Sequence, residues 1–305
     1  MRIKVLGSAA GGGFPQWNCN CPNCDGLRKG TVRAQARTQS SIIVSDNHVD
    51  WLLVNASPDI LTQIQRTPEL QPARASRDSG IAAVMLMDAQ IDHVTGLLML
   101  RERGTPLPIL ATQEVFSDIG QGFPLTSILS HYCGIEAHVL PIDGSPVPVP
   151  HLPQIEVRPV ALHSKPPPYS PFRGAPRPGD NIGLQLISPQ TGKAAFYAPG
   201  LAQMTDDLLA RMRECDVVLV DGTCWSLNEM LDLGFSKKTS LDMGHLPQSG
   251  PGGMIEQLAR LPAHVRKVLI HINNTNPILQ DDGPERAQLR AAGIEVAFDG
   301  MVIDF

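Results

Sequence analysis

The sequence predicts an α/β fold in which two sheets pack face to face with helices outside. Three observations lead there. Strand-like apolar runs recur along the whole chain with helix-like stretches between them. Their order mixes hairpins with βα units, which suits stacked sheets covered by helices. The polar segment Asp88-Ala89-Gln90-Ile91-Asp92-His93 follows the apolar run Ala82–Met87. Polar groups at a strand end, held by the sheet behind them, are where α/β folds place their chemistry.

Each element has a local reason. Met1–Leu6 reads as a first strand. Ser41–Val44 and Trp51–Val54 form a hairpin around Asp46-Asn47, both favourable turn residues. Ser57-Pro58 offers an N-cap and an N1 proline for a helix running to about Arg66. Strands are expected at Ala82–Met87, Pro108–Ala111, Ile155–Ala161, Ile182–Ile187, Ala194–Tyr197, Val217–Val220, Lys267–Ile270, Ile294–Phe298 and Met301–Ile303. Helices are expected over Val94–Arg101, Met204–Met212, Gly253–Leu261 and Pro284–Ala291. Twelve of the 27 prolines fall between Pro141 and Pro178, a density that disfavours regular structure. That stretch is either an ordered surface loop or a flap over the site, and the ordered loop is the reading favoured.

The chain has 305 residues, 42% of them hydrophobic, which is enough for one large domain or two smaller ones. No composition break marks a boundary, so residues 1–305 are taken as a single domain. The net charge of −5 and a pI of about 6.0 argue against nucleic-acid or anionic-membrane partners. The N-terminus lacks the extended apolar core and cleavage site of a signal peptide. No run approaches the roughly 20 apolar residues needed to span a bilayer. A soluble, cytoplasmic protein is expected.

Three of the six cysteines, Cys19, Cys21 and Cys24, lie within six residues. Thiolates this close can converge on one ion, and tetrahedral zinc in a structural role is the usual outcome. Unliganded cysteines are the plain alternative. The fourth ligand is open: Asn274, a histidine or a partner chain could supply it. The preceding run Gly7-Ser8-Ala9-Ala10-Gly11-Gly12-Gly13 does not match GxGxxG and lacks a GK[ST] ending. It is read as a turn needing positive φ.

The Asp88–His93 spacing resembles the HxHxDH signature of the metallo-β-lactamase superfamily, with Asp88 and Gln90 replacing its two leading histidines. In the full motif those histidines hold one metal, and the Asp, the last His and a further C-terminal His hold a second. A carboxylate bridging the two is expected near Phe196–Leu201, where none occurs. His163 could stand for the first site's third histidine. The second half persists in Asp92, His93 and His271, the last following the apolar run Val268–Ile270. Two imidazoles and one carboxylate with open positions are the donor set of non-heme Fe(II) oxygenases, and they also accept zinc or manganese. Asp221 ends the strand Val217–Val220, and His245 lies in a Gly-His-Leu-Pro segment. An imidazole is suited to proton transfer, and the superfamily often carries such a histidine nearby. Asp221 reads equally as a turn or helix cap. His48, His131, His138, His151 and His264 read as surface or structural.

Further segments narrow the resemblance. They are Leu6–Cys21, Asn55–Asp59, Gln90–Leu97, Pro167–Pro171, Tyr197–Gly200, Met243–Leu246, Gly250–Gly253 and His271-Ile-Asn-Asn-Thr-Asn-Pro-Ile-Leu279. Together they resemble the family of pyrroloquinoline quinone (PQQ) biosynthesis protein B, essentially end to end. The resemblance implies a metallo-β-lactamase fold, an αββα four-layer sandwich, with a zinc-binding loop near residues 7–40. It implies a structural zinc on Cys19, Cys21 and Cys24, associated with a homodimer, and an active-site metal on Asp92, His93 and His271. The implied activity is iron- and O2-dependent hydroxylation of the tyrosine ring in a Glu–Tyr-derived PQQ precursor. His245 and Asp221 would then handle protons or orient ligands. For an acidic substrate Arg37, Lys165, Arg173 and Arg177 are candidate cations. Two competitors remain, a metal-dependent hydrolase of the same pathway and a non-enzymatic carrier of PQQ. His271 could also serve the zinc.

Overall fold

A computed structural model describes residues 1–305. Its fourteen strands are β1 (Arg2–Gly7), β2 (Ser41–Ser45), β3 (Trp51–Val54), β4 (Ile81–Met85), β5 (Leu107–Ala111), β6 (Ile135–Val139), β7 (Val147–Val149), β8 (Leu152–Ala161), β9 (Ile182–Ile187), β10 (Ala194–Ala198), β11 (Val217–Asp221), β12 (Arg266–Ile270), β13 (Ile294–Val296) and β14 (Val302–Asp304). The chain divides into two compact units. The first comprises Met1–Leu6, Ser41–Lys193 and Gly300–Phe305, and the second Gly7–Ser40 and Ala194–Asp299.

In the first unit a mixed sheet runs in the order β14-β1-β2-β3-β4-β5-β6. β14 pairs antiparallel with β1, and β2 with β3, through Ile3↔Ile303 and Ile43↔Leu53. β3, β4, β5 and β6 are parallel. Every residue of β2, β3, β4 and β5 is buried, as expected for strands covered on both faces. One core joins Ile43, Trp51, Leu53, Val84 and Ile109 from the sheet with Ile60, Val94 and Leu97 from the segments over it. The same unit holds the antiparallel ladder β7-β8-β9. The second unit is built on the parallel strands β13-β12-β11-β10, aligned through Leu219↔Val268 and Asp221↔Ile270. That register brings the C-terminal ends of β11 and β12 level.

Most of the expected elements form within a residue or two. The turn after β2 is stabilised as its residues suggest: Asn47 Oδ1 accepts from the backbone N of Val49 and Asp50, both at 2.9 Å. Four differences have physical causes. The helix expected over Val94–Arg101 is instead a short α-helix, Ile91–Val94, followed by a 3-10 turn, Thr95–Leu100. It starts earlier, so Asp92 and His93 lie inside it, and it tightens where Gly96 packs on a neighbouring turn. A helix not expected from the sequence, Pro22–Lys29, begins with Cys21 as its N-cap, Pro22 in its first turn and left-handed Gly30 beyond its end. β6 was missed because Glu136, Ala137 and Val139 are exposed and its apolar signal is weak.

The proline-rich stretch is more regular than its composition suggests. It contains all of β7 and β8, with Pro148, Pro153 and Pro159 inside strands. Pro159 is paired with Leu184 of β9 and lies two residues past Val157, the last residue of β8 that β7 pairs with. The rest of the stretch is a pinned loop. Tyr169 Oη donates to the carbonyl of Ala89, and Ser170 Oγ donates to Asp118 Oδ1 at 2.6 Å. Thr112 Oγ1 donates to the carbonyl of Gly179 at 2.7 Å.

Gly96 is where backbone meets backbone. Its amide donates to the carbonyl of Ala56, and a Cβ there would lie 2.2 Å from Ser57 O and 2.7 Å from Ala56 O. Gly96→Ala is therefore expected to cost about 2 kcal/mol or more, because neither carbonyl is a flexible tip that can move aside. A fall in the urea midpoint at unchanged slope checks this; an unchanged midpoint would show that the turn yields.

Candidate metal centre

In the first unit, the chain leaving β4 turns at Asp88 into the helix Ile91–Val94. Asn55, in a left-handed conformation at φ 61°, fixes the turn by accepting from Met87 N through Oδ1 at 3.0 Å. Asp88 Oδ1 accepts from Gln90 N at 2.9 Å and lies 2.7 Å from His93 Nδ1. His93 Nε2 is 3.7 Å from Asp92 Oδ2. The carbonyl of His93 accepts from Ala56 N at 2.7 Å. Burial alone would lower the His93 pKa, but the charges of Asp88 and Asp92 outweigh it and raise it to about 9. Asp88 occupies the position of the superfamily motif's first histidine. Here it is the carboxylate partner of a ligand-type imidazole, the arrangement that fixes tautomer and ring orientation in metal sites.

In the second unit, β11 delivers Asp221 and β12 delivers His271. The ligand atoms of Asp221, His245 and His271 lie within 4.8 Å of one another. Asp221 is fully buried and accepts from Leu201 N (2.8 Å), Thr223 N (2.9 Å) and His245 Nδ1 (2.7 Å). Burial pushes its carboxyl up, yet the charge and hydrogen bond of His245, with help from His271 and Thr223, hold it below the usual range. Asp221 is thus both the turn cap and the imidazole partner that the sequence left open. With His245 Nδ1–H given to Asp221, its Nε2 is the nitrogen left to exchange a proton or take a metal. The rings of His245 and His271 stack at 5.5 Å between centroids. His271 has φ 61°, a conformation rare for a residue with a Cβ and held only by its surroundings.

Also in the second unit, the sulfurs of Cys19, Cys21 and Cys24 lie within 4.8 Å of one another. Cys21 Sγ accepts from Cys24 N at 3.5 Å, at the start of the helix Pro22–Lys29. Asn274 Nδ2 faces all three, 3.0 Å from Cys19 Sγ, 3.7 Å from Cys21 Sγ and 3.3 Å from Cys24 Sγ. Burial pushes the Cys21 thiol up to about 12; burial also opposes ionisation of Cys19, but hydrogen bonds from Cys21, Cys24 and Asn274 lower its pKa. Three crowded thiols that cannot all ionise by themselves are what a cation converts into a ligand set. With Asn274 turned to present its amide oxygen, the cluster has the four donors of a closed tetrahedral site.

Other expected residues fall elsewhere. Arg37 is buried and donates to Ser8 Oγ and the carbonyl of Ala297, which makes it a structural tie of the second unit. Arg177 pairs with Asp180 at 2.9 Å and stacks on Phe172, and Arg173 donates to the carbonyl of Pro166, while Lys165 is exposed. His163 is exposed in the same loop. Sequence reasoning missed Asp88 as a partner of His93, and it missed Thr223. The hydroxyl of Thr223 lies 2.9 Å from His271 Nδ1 and 3.1 Å from His245 Nδ1 and donates to the carbonyl of His271.

The comparisons fit this geometry. A family model described as a Beta-lactamase superfamily domain matches residues 50–272. Coenzyme PQQ synthesis protein B of Cupriavidus taiwanensis is 64% identical over 301 residues, covering 99% of this chain and 98% of that one. The chain belongs to the PQQ synthesis protein B family. The crystal structure of Zn(2+)-bound PqqB from Methylobacterium extorquens, 37% identical, superposes with a TM-score of 0.90 over 100% of both chains. A diphosphatase of the PhnP family gives a TM-score of 0.67 at 18% identity, a likeness of fold alone. The α/β class and the metallo-β-lactamase fold expected from the sequence are those of this family.

Two measurements test the centres. Loading zinc on the cysteines should release protons, and zinc affinity should rise with pH. Calorimetry in buffers of different ionisation enthalpy reads this directly, and Cys24→Ser should abolish it. In metal-free protein, a raised His93 pKa means that protonated His93 adds stability in full below about pH 6.5 and that this is lost as pH rises through about 9. The stability gap between wild type and His93→Gln should therefore shrink across that window by on the order of 1–3 kcal/mol; a gap independent of pH would contradict the Asp88–His93 pairing.

Proposed function

We propose that this protein acts in PQQ biosynthesis as a non-heme iron oxygenase that hydroxylates the tyrosine ring of a Glu–Tyr-derived precursor with O2. The observation that carries the pathway is the 64% identity with coenzyme PQQ synthesis protein B across almost the whole chain. What favours oxygenation over hydrolysis is the donor set. Asp88 and Gln90 replace the two imidazoles that a dinuclear hydrolytic site would need. Asp92, His93 and His271 are proposed as the iron ligands.

Fe(II) held by two imidazoles and a carboxylate would keep positions open for O2 and substrate and would supply the activation of O2. The chain's own residues do the rest. Asp88 holds the Nδ1 side of His93. Asp221 holds His245 Nδ1–H, so that Nε2 can take a proton from the phenol and return it. One oxygen atom enters the ring and the other leaves as water, which requires a two-electron reductant. A second reading, hydrolysis at a zinc-loaded site, is supported by the zinc-bound state of the Methylobacterium extorquens relative.

The cysteine cluster with Asn274 is proposed as the structural zinc site, and a homodimer is proposed around it. Trp17, 86% exposed two residues before Cys19, is the apolar surface that supports such a contact. No helix is long and apolar enough to cross a membrane. The acidic net charge favours a protein without nucleic-acid or anionic-membrane partners, and a cytoplasmic location is proposed with it.

The test is anaerobic reconstitution with Fe(II), then addition of O2, a two-electron reductant such as ascorbate and a Glu–Tyr dipeptide, read by mass spectrometry. The expected product carries one added oxygen, forms with iron but not with zinc, and is absent in His93→Ala, which should keep its fold and its cysteine-bound zinc. Cleavage without O2 uptake would select the hydrolase, and tight quinone binding without turnover would select the carrier.

A further inference from the structure

We propose that the metal held by the cysteines is the anchor that sets the position of His271, and that Asn276 is the positioning residue between them. This rests on the reading of His271 as an active-site metal ligand, but the geometry that carries it lies wholly within the second unit.

The segment His271–Asn276 serves two sites at once. At one end stands His271, in a left-handed conformation that its Cβ disfavours. Three residues on, Asn274 presses its amide against the three cysteine sulfurs. Asn23, inside the helix that Cys21 caps, clamps the segment from outside: its Nδ2 donates to the carbonyls of Asn274 (3.1 Å) and Asn276 (2.9 Å). Asn276 is fully buried and spends its amide inward. Its Nδ2 donates to the carbonyls of Gly222 (2.9 Å) and Thr223 (3.2 Å) and to Gln248 Oε1 (3.1 Å), and its Oδ1 accepts from Ile278 N (3.0 Å). Asn273 N donates to the carbonyl of Thr223 at 3.1 Å. Thr223 closes the path, because its hydroxyl meets both Nδ1 and the carbonyl of His271.

The path from thiolates to imidazole is therefore short, buried and made of directional bonds. A hydroxyl that donates to the carbonyl of His271 accepts at Nδ1, which sets the Nδ1–H tautomer and leaves Nε2 as the ligand atom. Orienting partners of this kind are worth about 10–100-fold in metal affinity. If the cysteine metal is removed, Asn274 and Asn23 lose their fixed reference, and the strained His271 backbone loses one side of its support.

The test uses Mn(II), which imidazole and carboxylate accept and thiolates do not favour. Its affinity is measured by electron paramagnetic resonance for the full-length chain carrying one zinc, for the same chain stripped of zinc, and for Asn276→Ala carrying one zinc. Both perturbed forms are expected to bind Mn(II) about ten- to a hundredfold more weakly, and stripping zinc from the variant should add little further. Circular dichroism shows which forms are folded; if one unfolds, the other decides alone. Unchanged Mn(II) affinity in a folded form, or full additivity of the two losses, overturns the proposal. A second readout is the 15N ring signal of His271 without Mn(II), expected to shift and broaden when zinc is removed. If the wild type takes up no Mn(II), the ligand assignment fails while the ring signal still decides the coupling: a signal indifferent to zinc sinks it.

Discussion

The carboxylate of Asp221 is the point on which the second unit's chemistry depends. It sits at zero exposure at the end of β11, where an unpaired charge would cost several kcal/mol. Its negative charge is matched there by three donors: the backbone amide of Leu201 in the loop after β10, the backbone amide of Thr223 in the turn after β11, and the ring of His245. The amides fix the path of the chain, and the chain in turn fixes where His245 and Thr223 can be. Removing the carboxylate would therefore disturb the loop and the imidazole together. The parallel register with β12 makes this effective, since it sets Asp221 opposite Ile270, one residue before His271.

The first unit solves a related problem with different parts. His93 is buried between two carboxylates and carries its partner at Nδ1, as His245 does. In the superfamily motif the position of Asp88 belongs to a metal ligand. Here that position carries a carboxylate 2.7 Å from His93 Nδ1, which fixes the orientation of the ring. The proline-rich loop adds rigidity by holding the carbonyl of Ala89, the residue next to Asp88, through Tyr169.

Much of this was legible in the sequence. The apolar runs of β2, β3, β4, β5 and β11 are continuous because those strands are buried throughout, and the polar residues at the ends of β4, β11 and β12 stood out against their apolar runs. Asp92, His93, Asp221, His245 and His271 were singled out as candidates for that reason. What was hidden depends on folding back. Asp88 and His93 are five residues apart and meet only because the chain turns between strand and helix. Thr223 and Asn276 act through a hydroxyl and an amide, types too common to single out until their partners are known. β6 escaped because its exposed residues weaken the alternation, and the helix Pro22–Lys29 because a cysteine occupies its cap. Arg37 misled in the opposite direction: a cation that looked free in sequence is buried in a structural tie.

The pairing of β1 with β14 has a consequence for how the molecule is made. Its first unit draws on residues 1–6 and 300–305, and the second draws on two segments separated by everything from β2 to β9. Neither unit is thus complete in any stretch of chain that a ribosome could release early. The cysteine loop emerges 255 residues before Asn274, and β1 emerges long before its partner β14. Contacts so distant in sequence are slow to form and leave apolar strand edges open meanwhile. For this chain, the interval between synthesis and closure is the period of greatest exposure to aggregation, and early capture of zinc by the cysteines would hold one of the two waiting segments in a defined state through it.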